Sequence, residues 1–167
     1  MILAFWVPTL TSMLFTSQRD HSKPQQYHRC GPALCRKSTH VLDIKGLKDP
    51  SIKFWSLWEN DNLLGCGALK FLDKEHGEFK SIRVSNKFRQ KGYGKKIISY
   101  LISMSEKLGI KKLSVETGAG NFFLPARKLF LNCGFKPCKP FAHYKEDPNS
   151  CFFTKNRSYF HVVPTSV

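Results

Sequence analysis

Phe79–Lys96, FKSIRVSNKFRQKGYGKK, reads as the end of a strand, a short basic loop and the start of a helix. In the strand, Glu78–Val84, alternation puts Ile82 and Val84 on one face and Phe79 on the other. In the helix, Gly94–Leu108, the apolar stripe is Ile97, Ile98, Leu101, Ile102 and Leu108, with Lys95, Ser99, Ser103 and Lys107 outside it. Between them, Gly92 and Gly94 permit positive φ and close backbone approach, so that successive N–H groups can point at one anion. The helix N-terminus and Arg89, Lys91, Lys95 and Lys96 add positive charge, which makes the segment a pyrophosphate cradle. The blander reading is a glycine turn with a solvated basic face. Neither the Gly-Lys-Ser/Thr of a Walker loop nor the three glycines and downstream acid of a dinucleotide fingerprint is present.

Outward from this stretch the chain reads as a small α/β layer structure. Upstream, Lys53–Glu59 and Leu63–Leu72 are strands joined at Asn60-Asp61-Asn62, and the glycines of the second predict a bulge or a close contact. With Glu78–Val84 they form an antiparallel meander. Downstream, Gly109 ends the long helix and Lys112–Glu116 is a strand which, reached through a helical crossover, lies parallel to Glu78–Val84. Pro125–Asn132 is a short helix with proline at its start and Gly134 just beyond its end. Phe135–Tyr144 and Cys151–Lys155 are expected as final strands, and Val41–Leu47 as a helical turn.

The 167 residues suit one domain, and 41% hydrophobic with 23% charged residues describes a globular protein. The net charge of +15 implies an anionic ligand or partner. Six cysteines occur without a Cys-x-x-Cys pair or a histidine ladder, so no metal site is expected. Cys66 and Cys133 read as buried free thiols and the compartment as reducing, with a Cys30–Cys35 disulfide as the alternative. The apolar start, MILAFWVPTLTSMLF, is too short for a bilayer span, contains Pro8 and lacks the basic start of a signal peptide, so no membrane association and a cytoplasmic location are expected.

Arg89-Gln90-Lys91-Gly92-Tyr93-Gly94 resembles the acetyl-CoA loop of the GNAT acetyltransferases, Arg/Gln-x-x-Gly-x-Gly/Ala between a strand and a long helix. THVLDIKGL (Thr39–Leu47), GCGALK (Gly65–Lys70), GEFKSIRV (Gly77–Val84), LSVETG (Leu113–Gly118), PARKLFLNCGF (Pro125–Phe135) and CKPFAHYKEDPNSCFFTK (Cys138–Lys155) are similar to one subgroup of small GNAT N-acetyltransferases. The resemblance implies a mixed, mostly antiparallel sheet with helices on both faces. It also implies that Glu78–Val84 and Lys112–Glu116 splay apart around the pantetheine of acetyl-CoA, the co-substrate. It puts Ile82, Arg83, Val84, Arg89, Gln90, Lys91, Gly92, Tyr93, Gly94 and Lys95 against that molecule, with a backbone N–H of Ile82 or Val84 as oxyanion donor. It spans about residues 39–155, leaving 1–38 as a divergent N-terminal segment and 156–167 as a tail. Phe130 stands where the family carries a tyrosine often assigned to protonate the departing thiolate, so water, Tyr93 or Tyr144 would serve instead.

Acetyl transfer needs a neutral amine, and an alkyl amine is less than about 0.1% neutral at pH 7. A carboxylate base answers that need. Glu78 opens one splayed strand and Glu116 closes the other, and the resemblance retains both; Glu78 is the first choice of base and Glu116 the next, and the alternative for each is a surface pair with a lysine. His76 could titrate, although a lone turn histidine is usually only solvated. Tyr144, Asp147, Asn149 and Ser150 form a polar cluster, read either as acceptor contacts or as a turn around Asp147-Pro148-Asn149. The function so implied is acetyl-CoA-dependent acetylation of a primary amine on a small molecule or amino-acid-like acceptor. A non-catalytic CoA-binding relative is the alternative. No nucleic-acid partner is expected, since the aromatics of Lys53–Trp58 read as core.

Overall fold

The structure, a computed structural model, describes residues 13–17, 46 and 49–157. Its frame is a seven-stranded sheet in the order β1-β2-β3-β4-β5-β7-β6. The strands are β1 (Met13–Ser17), β2 (Ile52–Glu59), β3 (Asn62–Phe71), β4 (His76–Val84), β5 (Lys112–Gly118), β6 (Lys136–Pro137) and β7 (Ser150–Asn156), with helices α1 (Tyr93–Lys107) and α2 (Leu124–Asn132). All neighbouring pairs are antiparallel except β4 and β5, which the α1 crossover makes parallel. Asn60 and Asp61, both at positive φ, turn β2 into β3 through the tight hairpin that such residues favour. β1, which pairs with β2 from Met13↔Glu59 to Ser17↔Trp55, is a strand that the sequence reading does not anticipate. Cys30, Cys35 and all of Val41–Leu47 but Gly46 lie outside the described residues.

Helix α1 buries Ile97, Ile98 and Leu101 as its stripe predicts, together with Ser105, whose hydroxyl donates to the Leu101 carbonyl at 2.6 Å. The core they join includes Leu57, Leu64, Leu69, Phe79, Val115, Phe130, Phe135 and Phe153. The glycines of β3 let the helix press this close. A Cβ on Gly65 would lie 2.4 Å from the Arg83 carbonyl oxygen and 2.7 Å from Ile97 Cδ1, and one on Gly67 would lie 2.7 Å from Leu101 Cδ1. The Arg83 carbonyl belongs to the adjoining strand backbone and cannot swing aside as a side chain can. Gly65→Ala should therefore lower stability by about 1–3 kcal/mol, the usual toll of overpacking, read as a lower urea midpoint. An unchanged midpoint would mean the two strands can part there freely.

Both described helices lie together on one face, with Leu129 of α2 reaching Gly94 of α1. One expected element is corrected. Phe135–Tyr144 is not a full strand, because only Lys136–Pro137 pairs with β7. Pro137 and Pro140 have no N–H to offer a ladder, and the chain turns at Phe141–Tyr144 with Ala142 at positive φ. That stretch instead packs as an aromatic cover: Phe141, Tyr144 and Phe152 have ring centroids 5.1–5.9 Å apart, and His76 lies 6.0 Å from Phe141. Among the described residues, no helix is long and apolar enough to cross a membrane and no cluster could hold a metal ion.

Candidate active site

The β4–β5 ladder runs only from His76↔Lys112 to Phe79↔Val115. Beyond it β4 stays paired with β3 up to Val84, and β5 with β7 up to Gly118. The two parallel strands thus part at their C-terminal ends, and the edge of Lys80–Val84 on the β5 side has no strand against it among the described residues. Ile82, Arg83 and Val84 all lie on this stretch. From its end the chain runs through Asn86–Phe88, a single 3₁₀ turn, into Arg89–Gly92 and the first turn of α1.

Arg89, Gln90, Lys91, Gly92, Lys95 and Lys96 are exposed, and no Asp or Glu occurs between Glu78 and Glu106. The two glycines of the loop divide the work. Gly92, at φ 81° on the helix N-cap, has nothing within 4 Å of where a Cβ would stand, so the space above it is open. Gly94 is helical, and its Cβ would meet Leu129 Cδ2 at 2.8 Å, so this glycine serves packing of α1 on α2. Gln90 also holds a left-handed φ of 61°. Tyr93 donates to Glu59 at 3.3 Å, and Lys91 and Lys96 lie over the rings of Phe88 and Tyr93. Open backbone, a helix start and exposed cations are what a diphosphate requires, so these residues fit a coenzyme A pyrophosphate.

Opposite the helices, the polar residues of the parting strands meet under the aromatic cover. Glu78 is 3% exposed, and its Oε1 accepts from Lys80 Nζ at 3.0 Å and from the Tyr144 hydroxyl at 2.6 Å. Lys80 also donates to the Tyr144 oxygen at 2.6 Å, which closes a three-membered ring of contacts. Burial, then the bond to Glu78 and the charges of Glu78 and Glu116, hold the Tyr144 phenol far above its ordinary range. Glu116, half-buried, accepts from Ser150 at 2.7 Å. Ser150 borders a cleft of about 390 Å³ lined also by Pro140, Glu146, Asp147, Pro148 and Phe152. Asp147 caps its own turn by accepting from the Asn149 backbone at 2.8 Å, so the turn reading of this segment holds, and Ser150 also reaches the site.

His76 is not a solvated turn residue: its Nε2 lies 2.8 Å from the Ser114 hydroxyl, which in turn donates to Thr154 at 3.4 Å. Burial and then the Lys112 charge push the imidazole below its ordinary range, against the pull of Asp73 and Glu78. Cys66, read as a buried thiol, is pushed up to about 11 by burial and donates to the Ser81 carbonyl at 3.5 Å. Phe130 is 4% exposed between Phe135 and Phe153, so the position where the resemblance leads one to expect a tyrosine hydroxyl is apolar core.

Lys80, Ser114 and Thr154 are site residues that the sequence reading missed. Lys80 was within reach of it, because residues two apart on a strand share a face. Ser81 was also missed. It is at φ 52°, and its buried hydroxyl has no hydrogen-bond partner, a deficit of about 1–3 kcal/mol in a folded chain.

A sheet opened between two parallel strands, with a basic loop and a helix start at the opening, defines an acyltransferase of the coenzyme A-dependent kind. The family description "Acetyltransferase (GNAT) family" matches residues 14–135, and the chain belongs to that family, with acetyl-CoA as the co-substrate. It is 51% identical over 119 residues to the uncharacterized N-acetyltransferase YsnE of Bacillus subtilis, covering 71% of this chain and 79% of that one. It is 39% identical over 118 residues to YedL of Escherichia coli, an N-acetyltransferase also uncharacterized, covering 71% and 74%. The fold matches a GNAT family acetyltransferase from Elizabethkingia anophelis solved with acetyl-CoA bound, with TM-score 0.63 and 19% identity over 87% of this chain and 98% of that one.

Proposed function

We propose that this chain transfers the acetyl group of acetyl-CoA to a primary amine on a small molecule or amino-acid-like acceptor. The observation that carries the reading is the ladder that stops at Phe79↔Val115 while both strands continue with other partners, directly before the basic loop. A thioester lying in that opening has Glu78 and Glu116 on the strands that flank it. Glu78 is already engaged by Lys80 and Tyr144, whereas among the described residues Glu116 accepts at its Oε1 from the Ser150 hydroxyl alone. Glu116 is therefore the better base for the ammonium proton of the acceptor, directly or through water. Tyr144 is the candidate acid for the thiolate, with Lys80, which donates to its oxygen, favouring loss of the proton against the opposing pull of burial and Glu78. Ile82, Arg83 and Val84 line the donor side of the opening, and Arg89, Gln90, Lys91, Gly92, Tyr93, Gly94 and Lys95 form the diphosphate loop.

The test is a pair of measurements on the purified chain. Acetyl-CoA at about 100 times its Kd should add about 2.7 kcal/mol of stability, seen as a rise in Tm. A panel of amino acids, diamines and amino sugars should contain at least one amine that drives release of free thiol. No rise in Tm would sink the donor assignment. A rise in Tm without thiol release from any amine would favour a CoA-binding relative without activity, the reading toward which the buried Phe130 ring points.

A further inference from the structure

The bulge in β4 decides which way the open edge presents its side chains. Ala68 pairs with Lys80 and Cys66 with Arg83, so β4 takes three steps where β3 takes two. Strict alternation would put Arg83 on the side of Phe79, and Ile82 and Val84 on the side of Lys80. With the extra residue the order reverses. Ile82 packs at Gly67 beside Ile97 and Leu101, and Val84 at Gly94, so both face α1. Arg83 keeps its backbone on the open edge, but its side chain comes onto the opposite face with Glu78 and Lys80. The thiol of Cys66, its partner across the pair, is pulled down by the Arg83 charge against the push of burial. Arg83 is exposed, and among the described residues its guanidinium has no hydrogen bond and no ion pair, whereas Lys80 is neutralised by Glu78.

Across the opening the charge is of the other sign. Ser114 pairs with Glu78, and Glu116, two residues on, shares its face, so this carboxylate lies on the same side of the sheet as Arg83. The cleft bordered by Ser150, the partner of Glu116, is lined by Glu146 and Asp147 and, among the described residues, by no Lys or Arg. A guanidinium on one flank and carboxylates on the other suit a molecule that carries both a carboxylate and an ammonium group. We propose that the acceptor is an amino acid, its carboxylate held by the Arg83 guanidinium and its amine presented to Glu116. The proposal rests on the acetyltransferase reading and narrows its acceptor. The planar fork of donors on arginine matches the two oxygens of a carboxylate. The ammonium loses one proton to Glu116, its nitrogen adds to the thioester carbon, the C–S bond breaks, and the thiolate takes up the second proton that the nitrogen sheds. The acceptor carboxylate takes no part in bond making and serves only to orient the amine.

Matched acceptors test this: α-, β- and γ-amino acids, each beside its carboxamide and beside the amine that lacks the carboxyl group. The best amino acid should exceed its own amide in kcat/KM by about 10- to 100-fold, the worth of a charge-assisted hydrogen bond, with most of the difference in KM. Arg83→Gln should close that gap, Arg83→Lys should keep part of it, and Arg83→Glu should turn the preference toward diamines. The ligand-free Tm and its rise with acetyl-CoA should match the wild type in all three, because the side chain is exposed and lies on the face away from α1. Amino acids turned over no faster than their amides, or a preference that survives Arg83→Gln, would each overturn the proposal while leaving the donor site intact. Loss of the acetyl-CoA-induced rise in the variants alone would assign the side chain to the donor and overturn it as well. A wild-type chain whose Tm acetyl-CoA does not raise would instead overturn the acetyltransferase reading, and this inference with it.

Discussion

Glu78→Ala is expected to cost the folded chain about 3–5 kcal/mol, because it strands a buried ammonium. The Lys80 side chain is 10% exposed and the Glu78 side chain 4%, so neither can turn to water when its partner goes. The Tyr144 hydroxyl loses its acceptor in the same step. Lys80→Met should cost less, since Glu78 would keep the Tyr144 donor. Replacing both, Glu78→Leu with Lys80→Met, should recover most of the loss, as apolar side chains of similar volume usually do in place of a buried pair. Urea unfolding of the wild type, Glu78→Leu, Lys80→Met and the double variant closes the cycle and isolates the coupling. If Glu78→Ala and the double variant lose the same amount, the pair is not what holds this corner. The double variant also separates fold from chemistry: a stable chain that no longer transfers acetyl would show that the pair serves the reaction as well as the packing.

Much of the frame could be read from local rules. Gly109 and Gly134, each at a φ near 80°, follow the last helical turns as the C-terminal glycine rule requires, and Pro125 sits in the first turn of α2. Gly65 and Gly67 were expected to mark close contact, and they do. The parting of β4 from β5 came from the family resemblance, since no local rule says where a parallel ladder stops. What stayed hidden depends on register or on distant partners. Ser81 is an ordinary strand residue until the pairing of Cys66 with Arg83 and Ala68 with Lys80 makes it the extra one. His76 looks like a turn histidine until β5 brings Ser114 beside it. The strand expected over Phe135–Tyr144 stops short because Pro137 and Pro140 lack the N–H groups that a ladder needs and the chain turns at Phe141–Tyr144. The two loop glycines were read as equivalent, and only the place of Leu129, thirty-odd residues away along the chain, tells them apart.

That difference decides how to test the diphosphate loop. Gly92→Asp is expected to abolish stabilisation by acetyl-CoA, a loss of about 2.7 kcal/mol at a ligand concentration 100 times the wild-type Kd. The new carboxylate would stand in the open space above the loop, against an anion held by the amides and cations of Arg89–Lys96, and like charges set side by side cost several kcal/mol. In the free chain the same change should be mild. Aspartate tolerates a left-handed φ better than most residues, and an acid at a helix N-terminus favours the helix dipole by about 0.3–1 kcal/mol. Gly92→Asn supplies the control, with the same size and backbone demand but no charge, and should keep most of the ligand-induced rise in Tm. Gly94→Asp would be a poorer probe, since its side chain would point into Leu129 and disturb the packing of α1 on α2 before it met any phosphate. A Gly92→Asp chain that acetyl-CoA still stabilises as fully as the wild type would remove Arg89–Lys95 from the donor site, and with it the reason for looking for a thioester between β4 and β5.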